Sequence, residues 1–226
     1  MSLIGELINE GTLKTPEIIK AFRTVRRRDF IRSEDAGQAE VNEPLRIGFG
    51  QTISQPLTVA FMLEKLRPRA GEKILDIGCG SGWTTALLAF IVGDSGKIYG
   101  LERICELKNF AATNVNKYIR FSNYPAEAEG WPGRRFIKNG VVHIICSDGF
   151  YGLPEFGPFD KILVSAAAEE VPSELLKQLE IGGRLVMAIG RIFSAQSIRV
   201  IDKVADDKFK IKEYPGFIFV PLIKNG

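Results

Sequence analysis

Histidine is nearly missing from this chain of 226 residues; His143 is the single one. A Ser–His–Asp or Cys–His nucleophilic site would have to rest on it alone. It lies inside the apolar run Val141–Ile145, where a strand residue is the simpler reading. Cysteine is scarce as well. Cys79, Cys105 and Cys146 are odd in number and dispersed, which predicts free thiols in a reducing cytoplasm, not a disulfide framework. No C-x-x-C pair or His/Cys cluster suggests zinc, so no metal is expected. No G-x-x-x-x-G-K-[ST] suggests nucleoside triphosphate hydrolysis. No apolar run approaches ~20 residues, so no membrane span is expected. The N-terminus lacks a signal peptide's basic start and apolar centre. A net charge of +3 is too small to argue for nucleic acid, which is not expected as a partner. No internal repeat and no low-complexity segment is visible.

What is present is an ordinary globular composition, 45% hydrophobic and 25% charged, and enough chain to bury a core. One domain over residues 1–226 is expected. Its organising stretch is Lys73–Gly82, KILDIGCGSG. Ile74, Leu75 and Ile77 form a short apolar run that stops in three glycines, a strand followed by its turn. Trp83–Val92, nearly all apolar, reads as the helix that follows. Such strand–turn–helix units bind ligands just beyond the strand ends, and glycines let a ligand approach the backbone. The spacing Gly78, Gly80, Gly82 is G-x-G-x-G, whereas a dinucleotide fingerprint needs G-x-G-x-x-G. Asp76 precedes the glycines, and Glu102 ends the next apolar run, Lys97–Glu102, where a carboxylate can bind both ribose hydroxyls.

Elsewhere the pattern alternates. Ser2–Glu10 predicts a short helix stopped by Gly11. Thr15 as N-cap and Pro16 open a second helix with the stripe Ile18, Ile19, Phe22 and Val25. The following Arg26–Arg28 run reads as a solvated helix end. Residues 1–44 thus form a helical segment packed beside the sheet, with Ser33–Pro44 as loop. Pro56 opens a helix, and Ser54 stands just before it, either as an N-cap or where a hydroxyl and free N–H groups can meet an anion. Ile104–Ile119 is a further helix. Phe121–Lys138, with two prolines and two glycines, is longer than most such connections and reads as a surface loop. Val141–Asp148 and Phe159–Ala168 are strands; Ser173–Glu180 is a helix stopped by Gly182–Gly183; Arg184–Gly190 and Ser197–Val204 are strands.

The combination D-x-G-x-G-x-G with a later strand-end Glu resembles class I methyltransferases. The segment IGFGQTISQP, residues 47–56, is more specific: with the glycine motif one helix later, it resembles the protein-L-isoaspartate O-methyltransferase family. Asp148–Gly149, the alanines Ala166–Ala168 before Val171–Pro172, and the ending Phe219–Leu222 are similar to that family too. The resemblance runs from about Arg46 to Leu222, and it implies that residues 121–138 are an insertion. Departures are Leu57 where His or Tyr is common, Cys79 for Thr or Ser, and Trp83 for Tyr.

The resemblance implies an α/β, Rossmann-like fold: a mostly parallel seven-stranded sheet with helices on both faces, one antiparallel strand near an edge, and the tail Gly216–Ile223 as the last strand. It implies S-adenosyl-L-methionine as cofactor, with S-adenosyl-L-homocysteine as product. Asp76, Gly78, Gly80, Ser81 and Gly82 would lie at its methionine half. Glu102 would lie at the ribose, Asp148 and Gly149 at the adenine, and Arg103 and Gln196 would also meet the cofactor. Thr52, Ile53 and Ser54 would touch cofactor as well, with Ser54 the active-site serine. Gln51, Ile53, Ser54, Ala167 and Val220 would meet the substrate, an isoaspartyl residue of a damaged peptide or protein. Its free carboxylate is already ionised at neutral pH and needs no general base, which agrees with the near absence of histidine. Two other readings use the same residues: a methyltransferase acting on RNA or a small molecule, and a homologue that binds cofactor or damaged protein without turnover.

Overall fold

The structure is a computed structural model describing residues 2–120, 137–191 and 194–224. Most of the expected insertion 121–138 lies outside those residues. The chain opens with α1 (Leu3–Asn9), capped by the Ser2 hydroxyl, and α2 (Pro16–Thr24). A hairpin follows, β1 (Leu45–Gly48) and β2 (Gln51–Ile53), then α3 (Pro56–Leu66). The alternating part comprises β3 (Lys73–Ile77), α4 (Trp83–Val92), β4 (Lys97–Glu102) and α5 (Cys105–Asn116). Ile119–Arg120 (β5) and Ile137–Lys138 (β6) make a two-residue parallel pair. β7 (Val142–Cys146), β8 (Phe159–Ala168), α6 (Ser173–Lys177), β9 (Leu179–Ile189), β10 (Gln196–Ala205) and β11 (Lys208–Phe217) complete the chain.

The main sheet has seven strands in the order β11-β10-β9-β8-β3-β4-β7. The pairs from β9 through β7 are parallel, and β10 is antiparallel to both its neighbours. This is the expected Rossmann-like α/β sheet, with the antiparallel strand second from one edge. Strand alternation divides the core. Ile74, Leu163, Val186 and Ile198 face α3 and α4, whereas Leu75, Ile77, Ile162, Val164 and Met187 face the α6 side.

Helix α4 is buried on every side from Thr85 to Val92. A helix apolar all round needs cover on both faces. The sheet gives one, and α2 gives the other through Phe22, whose ring meets Trp83 edge-on at 5.5 Å. The N-terminal segment is tied down further by Glu64 of α3. Its carboxylate accepts from the Lys14 and Thr15 N–H groups and the Thr15 hydroxyl, each at 2.7 Å.

Three expectations need correction. Helix α6 ends at Lys177, and β9 already begins at Leu179, because Leu179 pairs with Phe159; Gly182 and Gly183 lie within the strand. The tail strand ends at Phe217, and beyond it, among the described residues, only Pro221 makes an isolated bridge, to Ala167. Cys105 and Cys146 form a disulfide, Cα to Cα 5.2 Å, so only Cys79 is a free thiol. Forty-one residues separate the pair in sequence, but β4 and β7 are neighbours with Glu102 in register with Cys146, and α5 starts three residues after Glu102.

Candidate active site

At the C-terminal ends of β3, β4 and β8 a cleft encloses about 720 Å³, open solvent at its mouth included. Its floor is the glycine turn. Gly78, Gly80 and Gly82 all have positive φ, 75°, 53° and 87°, a region that only glycine enters without strain. The turn is held down by Gly78 and Cys79 N–H groups donating to the Leu101 carbonyl. Their roles then separate. Gly78 and Gly80 line the cleft, while a Cβ on Gly82 would press on Ala111 and Val115 of α5 at about 3.0–3.2 Å. Gly82 therefore serves helix packing. Ser81 is buried beside it, its carbonyl accepting from Asn114.

Glu102 forms one wall. One carboxylate oxygen accepts from the Gly80 N–H and the other from the Ile104 N–H, each at 3.0 Å. Each oxygen keeps acceptor capacity for a hydroxyl. An anion at this turn would meet the Glu102 charge, whereas a cation would be attracted. Among the lining residues Arg103 is the only cation. A pyrophosphate fits this donor set poorly, and an adenosyl group carrying a sulfonium fits it well. Gly149 lines the far side: a Cβ there would stand 2.3 Å from the Ile77 methyl, so the chain passes only as glycine. Asp148, next to it, caps the following turn by accepting from the Phe150 N–H at 2.9 Å and is not part of the lining.

Asp76 lies beneath the turn and outside the lining, fully buried, one oxygen accepting from the Thr85 hydroxyl at 2.6 Å and the other without a partner among the described residues. Burial, aided by the nearby Glu102 charge and opposed by Thr85, pushes its carboxyl up to about 7. Burial also raises the Cys79 thiol well above its usual value, with Asp76 and Glu102 adding to the effect; a thiol so placed is unreactive.

Opposite Glu102 stands the segment after the hairpin. Gln51, Thr52 and Ser54 line the cleft, while Ile53 points into the core. Ser54 is not the helix cap: Gln55 takes that position, and the Leu57 N–H is satisfied by Asn42 at 3.0 Å. Its hydroxyl makes no hydrogen bond among the described residues and shares the cleft with Gly78 and Gly80. The tail closes the remaining side with Val220, Pro221, Leu222 and Ile223. It is held there by Ala167, whose N–H donates to Val220 at 2.8 Å and whose carbonyl accepts from Leu222 at 2.7 Å. Gln196 adds a third tie, accepting from the Phe219 N–H at 2.7 Å. Gln196 and Ala167 therefore position the tail and do not line the cleft. Ser165 and Ala166 line it instead, where β8 loses register between Val164 and Ala167 and a bulge re-aims side chains.

Sequence reasoning missed Arg27. The expected solvated Arg26–Arg28 run contains one arginine that is only 5% exposed. Burial, opposed by the charge of Glu40, lowers its pKa to about 10, so it stays charged at neutral pH. A buried arginine has no signature in the local pattern, because its acceptors are carbonyls of a distant loop.

Sheet order, glycine turn and strand-end carboxylate define the class I methyltransferase architecture. Comparisons agree. Residues 1–226 match the family described as Protein-L-isoaspartate(D-aspartate) O-methyltransferase (PCMT). A protein-L-isoaspartate O-methyltransferase of Aeropyrum pernix is 37% identical over 223 residues, covering 99% of this chain and 78% of the relative. One of Pyrococcus horikoshii is 39% identical over 214 residues, covering 95% and 88%. A crystal structure described as this enzyme from Plasmodium falciparum, in complex with S-adenosyl-L-homocysteine, superposes with a TM-score of 0.80 at 25% identity, covering 99% of this chain and 97% of that one. The chain belongs to the protein-L-isoaspartate O-methyltransferase family.

Proposed function

We propose that this protein transfers the methyl group of S-adenosyl-L-methionine to the free carboxylate of isoaspartyl residues in damaged peptides and proteins. The observation that carries this reading is the position of Ser54: an uncommitted hydroxyl in one cleft with the Gly78–Gly80 turn and Glu102. S-adenosyl-L-methionine supplies an electrophilic methyl on a sulfonium and leaves as the neutral thioether S-adenosyl-L-homocysteine. Glu102 would hold the ribose hydroxyls, with Gly78 and Gly80 against the methionine half and Gly149 near the adenine. Ser54 would donate a hydrogen bond to the substrate carboxylate and turn one oxygen toward the methyl. The nucleophile is already ionised, so no residue has to accept a proton, and none in the lining is placed as a general base. Alignment at ~3–3.5 Å and exclusion of water are the whole catalytic task. The backbone amide nitrogen that follows the residue attacks the ester carbonyl, expels methanol and closes a succinimide, whose hydrolysis partly restores aspartate, so the biological role is repair. The cytoplasm expected from the scarce cysteines loses that argument with the Cys105–Cys146 disulfide; among the described residues no helix is long and apolar enough to cross a membrane.

The deciding assay offers labelled S-adenosyl-L-methionine to an isoaspartyl peptide, the matching aspartyl peptide and bulk RNA. Methylation of the first alone is expected. Methylation of RNA, or cofactor binding with no turnover on any of the three, overturns the reading.

A further inference from the structure

We propose that Arg27 is a positioning residue for Ser54, fixing where the serine stands relative to the glycine turn; this rests on the methyl-transfer reading above. The Arg27 guanidinium reaches two parts of the chain at once. Nη1 donates to the Val41 carbonyl at 3.1 Å and to Ala39 at 3.3 Å, and Nη2 to Glu43 at 2.7 Å and to the Ser54 carbonyl at 3.3 Å. Nε is buried and has no partner among the described residues. The same group lies 5.8 Å from the centre of the Trp83 ring. Trp83 is the first residue of α4, directly after Gly82, and its indole N–H is fixed to the Val25 carbonyl at 3.1 Å.

One cation therefore bridges the substrate side of the cleft and the start of the cofactor-side helix. The loop 39–43 is a strap held at two places: Arg27 donates to its carbonyls, and Asn42 of the loop ties it to the start of α3, accepting from the Leu57 N–H at 3.0 Å and, through its carbonyl, from the Gln55 side chain at 2.9 Å. Holding the Ser54 carbonyl restrains the peptide plane after Ser54, and with it where the Ser54 Cα and Cβ stand relative to the glycine turn. A planar fork with five fixed donors can span four carbonyls; a lysine ammonium keeps the charge but not that span.

The test is a double-mutant cycle of Arg27→Lys and Ser54→Ala, read as methyl transfer to an isoaspartyl peptide and as S-adenosyl-L-homocysteine affinity by calorimetry. Arg27→Lys alone is expected to lower kcat about 10- to 100-fold, as misplacement of a reacting group does. Cofactor-product affinity should stay within about twofold, and in the Ser54→Ala background the same change should cost less than about threefold, because nothing is left to position. Two results overturn the proposal: additive losses, or a fall in product affinity parallel to kcat, which would mark Arg27 as a general pillar of the fold. If Arg27→Lys does not fold, Asn42→Ala, which removes the strap's side-chain tie to the Leu57 N–H, decides by the same cycle. An inactive wild type would instead sink the functional reading and this inference with it, whereas an active wild type with an additive cycle sinks this inference alone.

Discussion

Ser54 is the residue on which the proposed substrate side turns. With its carbonyl held by Arg27 and its hydroxyl uncommitted, truncation should remove the carboxylate contact and little else. Ser54→Ala is expected to lower kcat/KM for an isoaspartyl peptide about 10- to 100-fold and to leave S-adenosyl-L-homocysteine affinity nearly unchanged. Equal losses in both measurements would reject its orienting role. Asp76 makes a different prediction, one of stability. Its carboxyl is pushed from 3.8 up to about 7 in the folded protein. Between those values the folded state keeps a proton that the unfolded chain gives up. The contribution of this group to stability therefore falls as pH rises from about 4 to about 7 and is level above that. Asp76→Asn, neutral throughout, lacks this dependence. Thermal melts across the window should show the difference in Tm between variant and wild type moving in favour of the variant as pH rises; parallel curves would contradict the burial argument.

At the scale of elements, the loops after β4 and β7 bring together the wall and far side of the cleft. They are joined by the Cys105–Cys146 disulfide and by the Ser147 N–H donating to the Glu102 carbonyl at 3.1 Å. Closing 41 residues corresponds to about 4 kcal/mol in the chain-entropy picture. Replacing both cysteines by serine is expected to lower Tm and also to weaken S-adenosyl-L-homocysteine binding, because Arg103, Ile104 and Gly149 lie on the two tethered loops. A lower Tm with unchanged affinity would make the bond structural only. Gly149 offers a second measurement. Gly149→Ala pushes a methyl into Ile77, a stiff β-branched side chain at the end of β3. A loss of about 1–3 kcal/mol is expected by chemical denaturation, as for other overpacked sites. A neutral variant would mean that the backbone gives way more easily than the contact implies. The strands and helices themselves were largely legible, since α4, β4 and β8 run over the residues their apolar patterns mark. The start of β9 was not. It depends on pairing with Phe159 across the sheet, and the local glycines argue for a turn.

For the whole molecule, the N-terminal segment has a physical reason to exist. It covers the outer face of a nearly all-apolar helix, and in doing so brings Arg27 within hydrogen-bond reach of the Ser54 carbonyl. A larger groove lies at the opposite rim, before β3, lined by Lys14, Glu64, Lys65 and Arg69 among others. It lacks the glycine turn and the strand-end carboxylate, so size does not select the site. The cleft with Ser54 is the one built from six separate stretches: the hairpin exit, the glycine turn, the β4 end, Gly149 after β7, Ser165–Ala166 in β8 and the tail.

The chain's own pattern determined the alternating α/β order, the glycine turn and Glu102 as its strand-end partner, because these depend on spacing between near neighbours; the candidate serine came from the resemblance of residues 47–56 to the family, since spacing alone allowed a helix cap there. Only the tertiary structure decided which of the named residues face the cleft. It turned Ile53 and Asp76 into the core, gave Ser81 and Gly82 to helix packing, and set Ala167 and Gln196 to holding the tail. It also paired Cys105 with Cys146 and buried Arg27. Each of these depends on strand register or on a carbonyl far away in sequence, and short-range periodicity carries no record of either.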